Sequence, residues 1–76
     1  MKTLSENLFA LRKSKGLSRE AVARKLEISA RTYERYEKNL RDPDAPLLVK
    51  LADFFGVTLD ELVGRAPLPD TTDEGA

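Results

Sequence analysis

From residue 3 to residue 64, apolar positions recur at spacings of three and four, the period of a helix, and nowhere alternate as they would along a strand. In TLSENLFALRKSKG, Leu4, Leu8 and Leu11 share one face. Thr3 followed by Glu6 has the form of a capping box, so a first helix is predicted to open there. Gly16 ends it, since a residue without a Cβ adopts the left-handed cap cheaply. Ser18 caps a second helix, with Leu17 and Val22 as its staple and Val22, Ala23 and Leu26 as its buried stripe. After the break Glu27-Ile28-Ser29, Ser29 caps a third helix running to about Lys38, and Asn39 serves as a left-handed terminator. NLRDP reads as a loop. Asp44 caps a fourth helix with Pro46 in its first turn, where a missing N–H does no harm. Leu48, Leu51, Ala52 and Phe55 form its stripe, and Gly56 stops it. Thr58 and Glu61 make another capping box, for a short fifth helix ending at Gly64.

The expected fold is therefore all-α, a compact five-helix domain over residues 3–64. RAPLPDTTDEGA, residues 65–76, reads as a disordered acidic tail with little to bury. At 76 residues the chain makes one domain, near the lower size limit for a core without staples. It has no cysteine and no histidine, which removes disulfides, thiolate nucleophiles and the commonest zinc ligands. No metal or cofactor is expected, and an enzyme is remote. No apolar run is long enough to span a bilayer and MKTLSENLFALRK lacks a signal-peptide core, so the expectation is a cytoplasmic protein with no membrane contact.

Net charge is zero, against the basic footprint usual in nucleic-acid binders. Its distribution changes the picture. Residues 1–41 hold eleven Lys/Arg and five Glu, a balance of +6, whereas residues 42–76 hold two against eight acids, a balance of −6. A partner feels the local patch, so the basic end remains a candidate surface, although small domains are often unevenly charged.

Residues 18–38 make two short helices joined by a three-residue turn, the sequence form of a helix-turn-helix whose second helix can enter a major groove. On a helical wheel Tyr33, Tyr36 and Leu40 cluster on one side, and Arg31, Arg35 and Lys38 fall opposite, flanked by Ala30 and Glu34. Glu37 falls beside the tyrosines, where a carboxylate needs a partner. Arg12, at the edge of the apolar face of helix one, has the fork to bind it bidentately. From the wheel alone, a fixed pair and two surface charges that never meet are both open.

LRKSKGLS, the phrase from the second helix into its turn, YE before a helix end, and LVKLADFFGVTLDEL together resemble the lambda-repressor-like, or Cro/Xre-type, helix-turn-helix family over about residues 4–64. The resemblance implies a bacterial or phage-encoded regulator that binds double-stranded operator DNA, often as a homodimer. It implies an Arg–Glu ion pair at Arg12 and Glu37. It also implies phosphate contacts from Ser18, Arg19 and Ser29, and base reading by Ala30, Arg31, Thr32 and Arg35. Lys38, Asn39 and Arg41 would face the backbone. Val57, Leu59, Leu62 and Val63 offer an apolar patch for a dimer contact, though core packing explains most of them equally well.

Four residues depart from the pattern. Arg19 stands where the family usually has Gln, and Glu27 where it usually has the turn Gly, so the turn is either strained or built differently. Glu34 on the outer face accepts from a cytosine or pairs with Lys38 one turn on. Phe9 is a lone exposed aromatic or part of a protein contact. The leading expectation is a sequence-specific repressor, dimeric on a palindromic operator, with helix 30–38 in the major groove. The competing class is a protein-interaction module or antitoxin-type protein, its partner held through the acidic tail or Phe9.

Overall fold

The computed structural model describes residues 1–69, and the distal tail, residues 70–76, lies outside the described residues. Five helices follow in order: α1 Lys2–Ser14, α2 Arg19–Leu26, α3 Ala30–Glu37, α4 Ala45–Phe55 and α5 Leu59–Val63. Among the described residues there is no strand, and no helix is long and apolar enough to cross a membrane.

The caps explain most of the boundaries. Ser18, Ser29, Asp44 and Thr58 each accept a hydrogen bond from the backbone N–H three residues on, and Thr58 with Glu61 forms the full reciprocal box. Gly16, Gly56 and Gly64 all take positive φ where their helices end, as does Asn39 at φ 58°. Helix α1 differs from expectation at its start. It begins at Lys2 with Met1 in the cap position, because Ser5 N–H already bonds to Met1 O, and Thr3 caps nothing. Thr3 has another contact: its methyl sits where a Cβ on Gly64 would have to go, so α1 and the end of α5 touch at closest approach.

One core unites the five helices. Leu4, Leu8 and Leu11 of α1 meet Val22, Ala23 and Leu26 of α2, Tyr33 and Tyr36 of α3, Leu51, Ala52 and Phe55 of α4, and Leu62 of α5. Six of these are under 2% exposed, each gaining about 1.5–3 kcal/mol by burial, which is how so short a chain closes a core. Leu48 is only partly buried at its edge. Polar ties reinforce the packing. Asn7 Nδ2 donates to Glu61 O and Leu62 O at 3.1 Å each, tying α1 to the last turn of α5.

Two further expectations change. Leu40 is 71% exposed, although the wheel put it with the tyrosines. The wheel ran past the helix end: Asn39 turns left-handed, Leu40 N–H bonds back to Arg35 O, and the side chain swings out. The packed unit also continues past Gly64. Arg65 and Ala66 N–H both bond to Asp60 O, and Leu68 packs on the core, so residues 65–69 belong with the domain and not with a detached tail.

Candidate nucleic-acid interface

Helix α3 is held by a buried ion cluster on its inner face. Arg12 Nε donates to Glu37 Oε2 at 2.6 Å and Nη2 to Oε1 at 3.1 Å, a bidentate fork. The third guanidinium nitrogen, Nη1, donates to Leu17 O at 2.9 Å. The Glu37 side chain is 1% exposed and that of Arg12 is 9% exposed. Burial by itself raises the pKa of Glu37, but Arg12 first, then the nearby Tyr33 hydroxyl and Arg19, outweigh it, and the net direction is down. Glu37 is therefore a carboxylate in the folded chain.

The sequence pattern marks two of the groups that hold α3 and leaves three unmarked. Arg19 Nε also reaches Glu37 Oε1, at 3.2 Å, so the arginine assigned to phosphate starts from a carboxylate. The Tyr33 hydroxyl is buried against the pair without a hydrogen-bond partner. Burial first, and then the neighbouring carboxylate, hold its pKa well above the ordinary phenol range. Ser5 is the third. Its hydroxyl donates to Tyr36 O at 2.7 Å, fully buried, fastening the end of α3 to α1. The one sequence signal for Ser5 was a small hydroxyl residue beside the Leu4–Leu8 stripe.

The outer face of α3 is clear of the core. Arg31 and Arg35, one turn apart, are exposed; Ala30 and Thr32 are half-buried at its start. Ser29 Oγ accepts from Thr32 N–H at 3.0 Å and donates to Thr32 Oγ1 at 2.9 Å, so the cap and Thr32 orient one another. Ser18 is exposed at the start of α2, with Arg19 next to it. Two helix starts, two hydroxyls and two exposed arginines are thus presented by α2 and α3, a set suited to anionic oxygens and to base edges.

At the other end of α3, Lys38 Nζ meets Glu34 Oε2 at 2.7 Å, and that lysine pulls the Glu34 carboxyl below its ordinary range. The pairing is the one expected at this spacing. Asn39 Oδ1 accepts from the Met1 ammonium at 3.0 Å, and Arg41 is exposed beyond it. Glu27 has φ 61° and ψ 39°, so the turn is left-handed on a residue with a Cβ, at a cost of about 1–2 kcal/mol. The strained version of the turn is the real one. Of the residues expected at a dimer contact, Leu59 is 44% exposed and Val57 and Val63 are half-buried, whereas Leu62 is wholly buried in the core and presents no surface. Phe9 is 47% exposed, its ring centroid 5.5 Å from the Arg12 guanidinium carbon.

The helix-turn-helix family model matches residues 8–62, which include the Arg12–Glu37 fork and the whole of α2 and α3. This chain is a Cro/Xre-type helix-turn-helix protein. Among relatives of this helix-turn-helix chain is the HTH-type transcriptional regulator AnsR of Bacillus subtilis, 43% identical over 60 residues that cover 79% of this chain and 52% of that protein. The cryptic phage CTXphi transcriptional repressor RstR of Vibrio cholerae is 37% identical over 59 residues, covering 78% of this chain and 53% of that protein. The chain thus spans about half the length of the curated relatives it matches. Among solved structures, a transcriptional regulator from Listeria innocua superposes with a TM-score of 0.78 at 34% identity, covering 91% of this chain and 66% of that one.

Proposed function

We propose that this chain reads double-stranded DNA as a transcriptional regulator, with α3 in the major groove, and that it acts as a dimeric repressor on a palindromic operator. The observation that carries the reading is the division of α3 into two faces. Its inner face is locked by the Arg12–Glu37 fork and the Ser5–Tyr36 bond, so the helix is presented at a fixed angle. Its outer face leaves Arg31 and Arg35 free, without an ion pair among the described residues. A guanidinium there forks onto the O6 and N7 of guanine, each good pair giving about 1–3 kcal/mol of discrimination. Ala30 meets a thymine methyl and Thr32 a base edge, while Ser18, Arg19, Ser29, Lys38, Asn39 and Arg41 take phosphates. The names of AnsR and RstR support regulation, and that of RstR supports repression.

A single recognition helix spans few base pairs, so two copies about 34 Å apart give the reading its length. On this account they meet through Leu59, Val57 and Val63, without Leu62. Selection of bound sites from random duplex DNA is the direct test. An inverted repeat with half-sites one helical turn apart is expected. A pool that stays random, at an ionic strength where binding is retained, would overturn the proposal.

A further inference from the structure

Next to the candidate interface, a groove of about 410 Å³ opens between α1 and the end of α3. Lys2 and Phe9 of α1 form one wall; Arg19, Lys38 and Asn39 form the other. We infer that this groove seats a stretch of DNA sugar-phosphate backbone flanking the base-reading site, with Lys2 on a phosphate and the Phe9 ring against deoxyribose. The inference rests on the DNA-reading role proposed above and extends that surface onto α1, to residues assigned no contact there.

Three observations carry it. The first is continuity, because one wall of the groove is the phosphate-facing edge of the interface itself. A strand leaving Lys38 and Arg19 passes over Lys2 and Phe9 next. The second is charge. Glu37 lines the groove but is spent, its oxygens engaged by two arginines and its side chain 1% exposed. Arg19 offers only Nε to that carboxylate, so its terminal nitrogens remain available. Among the described residues Lys2 makes no ion pair. The third is the apolar component. Phe9 is 47% exposed on a helix whose other large apolar residues are buried, and the Arg12 guanidinium 5.5 Å from its centroid steadies the ring. A cation beside an exposed apolar ring matches the alternation of phosphate and sugar along a strand. Glu6, also in the lining, opposes a phosphate there and makes no ion pair among the described residues.

Glu6 gives the test its sign. Affinity is measured as a function of salt for two duplexes, one ending at the selected site and one extended by several base pairs on each side. For the extended duplex, Lys2→Ala is expected to flatten the slope of log K against log salt by about 0.9, the loss of one phosphate contact. Glu6→Gln is expected to raise affinity for the same duplex several-fold. Phe9→Ala is expected to remove hydroxyl-radical protection from the flanking sugars. Neither charge variant changes binding of the short duplex, and Lys50→Ala, on exposed α4 surface, changes neither. Thermal melting checks that each variant folds. Equal shifts on both duplexes, or none on either, overturn the groove assignment while the base-reading role stands. Failure of the wild type to bind either duplex removes both.

Discussion

Glu37→Gln tests the device that fixes α3. The substitution keeps the shape but replaces one acceptor oxygen by an N–H₂ group facing guanidinium donors. Arg12, its side chain 9% exposed, keeps its bond to Leu17 O and loses its counter-charge together with one arm of the fork. Removing one partner of a buried pair costs about 3–5 kcal/mol, and one surviving hydrogen bond puts the expected loss near the low end, about 3 kcal/mol. A chain of 76 residues has a total stability of roughly 4–11 kcal/mol, so the variant stays folded but visibly weaker. Urea unfolding followed by helical circular dichroism at neutral pH reads the difference.

The same substitution has a pH signature. Glu37 has its pKa lowered by folding, so its stabilisation is complete above the unfolded value of 4.5 and disappears as pH falls through the lower folded value. The gap between wild type and variant should therefore be widest at neutral pH and close in acid. Replacing both Arg12 and Glu37 by apolar residues of similar volume should restore most of the lost stability, since both desolvation costs go with the charges. A loss below about 1 kcal/mol, or a gap that does not change down to about pH 3, would refute the role assigned to this cluster.

Other features yield sharper local expectations. Tyr33→Phe removes a buried hydroxyl that has no partner, so stability should change by less than about 0.5 kcal/mol or rise; a loss above about 1.5 kcal/mol would reveal a missed hydrogen bond. Glu27→Gly relieves a left-handed residue and should raise stability by about 1 kcal/mol, read as a higher urea midpoint at an unchanged slope. Gly64→Ala adds a Cβ onto the Thr3 methyl at φ 89° and should cost about 2 kcal/mol; Thr3→Ala in the same chain should recover only the steric share.

Periodicity and capping chemistry made most of this fold legible. Ser18, Ser29, Asp44 and Thr58 announce their helices because a side-chain oxygen three residues before an orphan N–H acts locally. Thr3 and Glu6 carried the same signal falsely, because α1 could begin two residues earlier and Thr3 found tertiary work against Gly64. Leu40 misled for a related reason: a wheel has no end, and Asn39 supplied one. The fork between Arg12 and Glu37 was approachable from sequence because the wheel set Glu37 beside the tyrosines and the family resemblance implied its partner; the wheel alone left the pair open. Arg19, Ser5 and the Tyr33 hydroxyl were not, since their contacts depend on how α1, α2 and α3 cross, which no single-helix pattern contains. Leu62 and Leu59 lie on one short helix with similar chemistry, and packing alone separates core from surface there.

The central claim is that the start of α3 reads bases while its end and the loop beyond hold phosphate. Arg31→Ala and Lys38→Ala, measured on the selected operator and on random duplex across a salt series, separate the two roles. Arg31→Ala should lower operator affinity with little effect on random DNA and relax the choice of base at one position, a loss of about 1–3 kcal/mol in discrimination. Lys38→Ala should weaken both DNAs alike and flatten the salt slope by about one unit. If the two variants behave identically on both DNAs, α3 does not read sequence in the way described.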